Sequence, residues 1–226
     1  VEDIKLNYIF INPFEPSEDL TLNKTFNTIK KIHSSYYDEL SDIVIKYWSY
    51  NDITLLLEQF DHDLYDLYLK INPLYAALLS DIGRFIVLYN FGGIYHDLKF
   101  IAKPKFLKYI VNVKDQYNII GEQHPRQKSR VRSGNIISFV DKDPFFLSVL
   151  NSIKVQLLIA QDKKASGSER MFAIGSGVYI DLFAKNINLR KDMFMQRFDW
   201  RYLKYHKSIY KANITKWQNI EEQIIL

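Results

Sequence analysis

Residues 78–100 read LLSDIGRFIVLYNFGGIYHDLKF, and the rest of the chain is best understood outward from them. Leu78, Leu79, Ile82, Phe85, Ile86 and Tyr89 recur at i, i+3, i+4 spacing, which makes one apolar helix face. Gly92 and Gly93 stop that helix, because glycine takes the backbone of a C-terminal cap without a Cβ penalty. Ile94 and Tyr95 start a strand, with His96, Asp97, Leu98 and Lys99 at its end. A buried helix, a double-glycine turn and a strand thus deliver Asp97 to a strand end. In open α/β sheets, ligands bind outside the C-terminal ends of the strands. Asp81 and Arg84 stand three apart on the helix, a spacing that permits contact.

On the N-terminal side, Ile4 to Ile11 reads as a buried first strand, ended by Asn12 and Pro13. Ser17 is a candidate N-cap for a helix whose buried stripe includes Leu22, Phe26 and Ile29. Asp42 to Trp48 reads as a second strand. Asn51 is the expected N-cap of a helix over Asp52 to Phe60, Asp61 to Lys70 is a further helical segment, and Pro73 opens the central helix. On the C-terminal side, strands are expected over Tyr117 to Ile120 and Asn135 to Val140, with a polar loop, Glu122 to Arg132, between them. A helix over Pro144 to Ile159, a hydrophilic loop over Asp162 to Arg170 and a helix over Val178 to Ala184 follow. Strands and helices alternate over about the first 100 residues, which predicts an α/β fold with a mostly parallel sheet and helices on both faces.

The composition bounds the function. The chain has 226 residues, enough for one α/β domain with a full core. Hydrophobic residues make up 47% and charged residues 25%, the balance of a soluble globular protein. A net charge of +4 does not imply a nucleic-acid partner, and none is expected. The absence of cysteine excludes disulfides and thiolate zinc sites and suits a reducing, cytoplasmic compartment. No membrane span is expected in this chain, although Val1 is not a start methionine and leaves room for an upstream anchor.

The central stretch resembles the sugar-binding signature of glycosyltransferase family 32 and related DXD-containing sugar transferases. These include yeast-type α-mannosyltransferases, capsular polysaccharide transferases and glucosylating toxins. Their pattern runs Asp-x-x-Arg, a tyrosine near the helix end, then Gly-Gly-hydrophobic-Tyr-x-Asp-x-Asp. Asp81, Arg84, Tyr89, Gly92, Gly93, Ile94, Tyr95 and Asp97 fall on it, while Lys99 stands where the last acid belongs. The resemblance implies a GT-A type nucleotide-sugar-binding fold over residues 1–226, with 1–120 binding the donor and 121–226 forming the acceptor side and a closing segment. It implies a retaining hexosyltransferase acting from a nucleotide-diphosphate sugar on a glycan or protein acceptor. It also implies Asp97, Asp81 and Arg84 as catalytic residues and Trp48, Tyr95, Asp97, Lys99 and Trp217 as donor-binding residues. In the family the second acid ligates a divalent metal, so manganese or magnesium is implied, with Asp97 and His206 as its ligands here. Lys99 offers another way to neutralise the diphosphate, as a point charge.

Each of these residues also has an ordinary structural account. Asp81 and Arg84 would suit a helical ion pair, Trp48 and Tyr95 core aromatics, and Asp97 a solvated strand end. Two other functions fit parts of the pattern. A metal-dependent nuclease would use Asp81, Asp97 and Lys99, with the basic run Arg126, Lys128, Arg130 and Arg132 facing DNA. A non-catalytic nucleotide-sugar-binding protein on a degenerate transferase fold would explain the missing acid.

Overall fold

The computed structural model describes residues 4–9, 43–97, 100–205 and 221–226, together with Asn27, Lys31 and Ser34, which are helical and exposed. In chain order the elements are β1 (Ile4–Ile9), β2 (Ile43–Trp48), α1 (Tyr50–Phe60), α2 (His62–Leu69), a 3-10 turn (Pro73–Tyr75), α3 (Ala76–Phe91), β3 (Gly93–His96) and β4 (Phe100–Ala102). Then come α4 (Pro104–Val113), β5 (Ile119–Gln123), β6 (Val131–Ser138), α5 (Pro144–Asp162), α6 (Ser168–Ile174), α7 (Ser176–Asn186), β7 (Met193–Gln196) and β8 (Leu203–Tyr205). The helix expected after Ser17 lies outside the described residues apart from those three positions.

A six-stranded sheet has the order β2-β1-β3-β6-β5-β7, and β4 pairs with β8 in a small second sheet. β2, β1 and β3 are mutually parallel, as are β5 and β7, and only β6 runs against its neighbours. The expected mostly parallel sheet is therefore present, with one reversed strand at its centre. Side-chain alternation along the strands feeds two separate cores. Tyr95, Ile119 and Ile136 face the core made with α1, α2, α3, α5, α6 and α7. Their neighbours Ile94, Ile120 and Ile137 face α4, Phe198 and the small sheet. Helices thus cover both faces, as predicted.

Local sequence explains the main elements. Gly92 and Gly93 have φ of 57° and 91°, and a Cβ on Gly92 would sit 3.0 Å from the Ser138 carbonyl oxygen. Only glycine lets the chain leave α3 and enter β3 this close to β6. Ser49, not Asn51, caps α1: its hydroxyl accepts from Asp52 N at 3.1 Å while Asp52 Oδ2 accepts from Ser49 N at 2.8 Å. A reciprocal capping box satisfies two helix-end donors and outcompetes a single Asn. Pro73 opens the 3-10 turn, and the α-helix begins at Ala76.

Two expected loops are partly ordered elements. Residues 122–132 form a β-hairpin in which β5 runs on to Gln123 and β6 starts at Val131. Hydrophobic pattern hides this, because Glu122 is buried through polar pairing and not through apolarity. Helix α5 extends to Asp162, and α6 occupies Ser168 to Ile174. Two helices, Pro73–Phe91 and Pro144–Asp162, are long and apolar enough to cross a bilayer by length and composition. Both supply side chains to the helix-side core, which accounts for their apolarity.

The start of α5 is tied by charge to the turn before β7. Asp143 Oδ1 accepts from Phe145 N at 2.8 Å, and Arg190 grips both Asp143 oxygens at 2.7 and 2.8 Å. Asp143 is buried, whereas Arg190 is partly exposed and keeps Asp192 as a second partner, so removing Asp143 costs the helix cap and two charged hydrogen bonds without stranding a buried charge. Asp143→Ala is expected to cost about 1–3 kcal/mol in a denaturant titration. A loss within experimental error of zero would mean that α5 docks by apolar packing alone.

Candidate functional site

The parallel register of β2, β1 and β3 brings their C-terminal ends to one edge. Ile9 lies level with Trp48, and Tyr8 level with both Tyr47 and His96. Asp97 follows directly after β3. Its N–H donates to the Gly134 carbonyl at 2.9 Å, and its own carbonyl accepts from Phe100 N at 2.8 Å. The backbone is therefore held on both sides, and the side chain stands at the strand end, about a quarter exposed.

Three neighbours fix that side chain. The Tyr95 hydroxyl donates to Asp97 Oδ1 at 2.8 Å, and Arg84 Nη1 lies 3.9 Å from the same oxygen. A Cβ on Gly134 would come within 3.2 Å of Asp97 Oδ2, so that glycine makes room for the carboxylate. Burial, the largest influence, raises the Tyr95 phenol well above its usual range. It stays protonated at physiological pH and remains a donor.

Arg84 is only 6% exposed and is the hub of the cluster. Nη2 pairs with Asp81 Oδ1 at 2.8 Å, Nη1 donates to the Ser133 carbonyl at 2.5 Å, and the guanidinium lies 4.5 Å from the centre of the Tyr95 ring. Asp81 Oδ2 accepts from both the N–H and the hydroxyl of Ser176, each at 2.8 Å. Ser176 Oγ also meets Ser133 Oγ at 2.7 Å. Gly175 has no space for a side chain, because a Cβ there would run into the Asp81 carboxylate. Burial pushes the Asp81 carboxyl above its ordinary range, against the pull of Arg84 and the Ser176 donors.

The structure thus brings Asp81, Arg84, Tyr95 and Asp97 together. It does not add Trp48 to that group. Trp48 stacks on Phe91 with ring centres 5.0 Å apart, has Lys46 Nζ 3.6 Å from its ring centre, and is buried in the helix-side core. Lys99, His206 and Trp217 lie outside the described residues. Ser133, Gly134 and Ser176 are additional members that sequence pattern did not single out. The signals were the small residues Ser133-Gly134 within β6 and Gly175-Ser176-Gly177 leading into α7.

A second polar chain crosses the sheet beside this site. His96 Nδ1 meets Asn135 Oδ1 at 2.5 Å, Asn135 Nδ2 donates to Glu122 Oε2 at 2.6 Å, and Arg132 Nη1 lies 3.6 Å from Glu122 Oε1. An amide oxygen only accepts, so His96 carries a proton on Nδ1. The chain links β3, β6 and β5 at the level of Asp97. Among the described residues, no three His, Asp or Glu side chains converge as metal ligands. Asp97 alone does not make a divalent site.

Comparison of the sequence with family models and with curated proteins gives no match. Comparison with solved structures does. The PaToxG glycosyltransferase superposes with a TM-score of 0.51 at 15% identity, over 83% of this chain and 70% of that one. The fold is that of the GT-A glycosyltransferases. The UDP-bound glycosyltransferase domain of the YGT toxin is similar at a TM-score of 0.48 and 10% identity, over 92% of this chain, which spans 61% of that domain. Mouse xyloside xylosyltransferase 1 gives a TM-score of 0.43 at 10% identity, over 87% of this chain and 85% of that one. Within the GT-A fold, Asp97 occupies the strand-end edge that open α/β sheets use for ligands.

Asp81→Ala should strand the Arg84 guanidinium in a buried position and cost about 3–5 kcal/mol of unfolding free energy. Ser176→Ala removes a hydroxyl donor but keeps the backbone one, for an expected loss of about 1–3 kcal/mol. Urea titrations of both variants check this order. A near-neutral Asp81→Ala would show that Arg84 does not depend on Asp81.

Proposed function

We propose that the chain is a retaining glycosyltransferase that moves a hexose from a nucleotide-diphosphate sugar to a hydroxyl of a glycan or protein acceptor. The observation that carries this reading is the Asp97 carboxylate on the C-terminal edge of a GT-A sheet, fixed by the Tyr95 hydroxyl and facing Arg84. The resemblance of the Asp81-to-Asp97 stretch to glycosyltransferase family 32 supports the same reading.

In the reaction, the bond from the anomeric carbon to the diphosphate oxygen breaks, and the acceptor oxygen bonds to that carbon with retained configuration. The acceptor proton passes to the departing diphosphate. Charge grows on the diphosphate, so the protein must stabilise an anion more than supply a strong base. Asp97 meets donor hydroxyls, with Tyr95 holding its rotamer. Asp81 and Arg84, paired with each other and nearly buried, hold the Asp97 end of the site in place behind the sugar. Trp217 would close over the donor, while Trp48 supports the strand end from the core. Lys99 supplies positive charge to the diphosphate. Manganese or magnesium, when bound by Asp97 with His206, would supply Lewis acidity at the same place.

The nuclease reading is less well supported, because both Asp81 oxygens already accept from Ser176 and Arg84. A binding protein without turnover differs from an enzyme in one measurable way: it would hold nucleotide sugar and release no free sugar.

Asp97→Asn keeps the shape and the Tyr95 contact but loses the charge. It is expected to retain the wild-type melting profile and lose transfer or donor hydrolysis by at least tenfold, the order of a lost charged hydrogen bond of about 1.5–3 kcal/mol. Wild-type turnover in that variant would remove Asp97 from the site. For Lys99, partial turnover should persist in chelator, and Lys99→Ala should abolish that remainder. If the wild type is silent in chelator and Lys99→Ala turns over normally with manganese, Lys99 does not act on the diphosphate.

A further inference from the structure

The face built from α4, the small β4–β8 sheet and the chain between β7 and β8 has chemistry that the donor site does not use. Its inner side is closed by Ile101, Phe106, Ile110, Phe198 and Leu203. Lys105, Lys108, Arg197 and Arg201 are exposed around it. Lys103, Lys105, Lys108, Arg197, Arg201 and Lys204 lie in segments 103–108 and 197–204, where Asp199 is the only acid. Arg201 already engages Asp199 through Nε at 3.0 Å and Nη2 at 2.7 Å. These two segments together carry six cations and one acid, a net +5 beside the +4 of the whole chain.

In the middle of these cations stands an indole. Trp200 is 76% exposed, and Lys103 holds it by donating from Nζ to the Trp200 carbonyl at 2.7 Å. The Lys103 ammonium lies 5.7 Å from the indole centre, and the Lys105 ammonium lies 5.5 Å from the centre of the Tyr202 ring. Val111, 43% exposed, lies one turn along α4 from Lys108. An indole this exposed gains little apolar burial in water. At a bilayer surface it gains more, because indole and phenol rings settle at headgroup level while lysine stems lie along apolar surface and keep their ammonium groups at the phosphates.

We propose that this face docks the protein on an anionic membrane surface, with Trp200 entering the headgroup layer and Lys103, Lys105 and Lys108 meeting lipid phosphates and carboxylates. The contact is peripheral. Its attraction comes from a basic cluster near negative lipid and fades within a Debye length, so salt should weaken it. It is independent of the transfer reaction, and either reading can fail without the other.

Vesicle co-sedimentation tests it with the whole chain. Binding is expected to vesicles of phosphatidylcholine mixed with phosphatidylserine, to be absent with phosphatidylcholine alone, and to fall as salt rises. The double variant Lys105→Glu, Lys108→Glu should bind at least about tenfold more weakly. Trp200→Phe should lose part of the fluorescence quenching that brominated lipid produces in the wild type. As a control for net charge, Arg126→Glu with Arg130→Glu, in the exposed hairpin, should leave binding within about twofold of wild type. No binding to the anionic vesicles overturns the proposal. So does equal weakening by the hairpin variant, or quenching that Trp200→Phe leaves unchanged. Vesicle binding displaced by heparin or single-stranded DNA far more readily than by excess anionic vesicles would mean that the face takes a soluble polyanion, and would also overturn it.

Discussion

A single buried guanidinium organises the site. Arg84 lies within α3, yet its nitrogens and its flat face reach Asp81, the Ser133 carbonyl, the Tyr95 ring and the neighbourhood of Asp97. A guanidinium out of water is costly unless its donors are met, so the surrounding chain must converge on it. That requirement explains why the start of α7, the middle of β6 and the end of β3 meet at one point. Ser176 meets Asp81, Asp81 meets Arg84, and Ser133 and Tyr95 complete the set. Removing a member leaves buried charge unmatched, so the cluster behaves as a unit.

The consequence for function is rigidity at the strand end. Asp97 is held through its backbone by Gly134 and Phe100 and through its side chain by Tyr95. A carboxylate fixed in this way loses little further freedom on binding a ligand. The glycines nearby matter for the same reason. Gly134 and Gly175 allow the strand and the helix turn to approach the two carboxylates more closely than any side chain would permit.

The chain of His96, Asn135, Glu122 and Arg132 acts on the reversed strand. β6 lies between β3 and β5 and supplies Ser133 and Gly134 to the site. Polar side chains joined across all three strands keep that strand in register where a slip of one residue would exchange its two faces. The bulge between Gly121 and Glu122 lies at the same level, and beyond it Glu122 pairs with Arg132.

Much of this was legible in residue order. The 3.6-residue spacing from Leu78 to Tyr89, the double glycine and the short strand after it determine the helix–turn–strand unit and the place of Asp97, because each is a local rule of backbone and burial. The i, i+3 spacing likewise brings Asp81 to Arg84. Local rules do not reach across the chain. Ser176, 95 residues from Asp81, is invisible as a partner until α7 is docked. Glu122 looks like a loop residue until Asn135 and Arg132 satisfy it. Trp48, a candidate for stacking on a base, lies against Phe91 in the core. The sequence by itself determined which residues share a helix face and where the strand ends. Only the tertiary structure decided which buried charges are matched, because matching depends on partners brought together by packing and not by spacing.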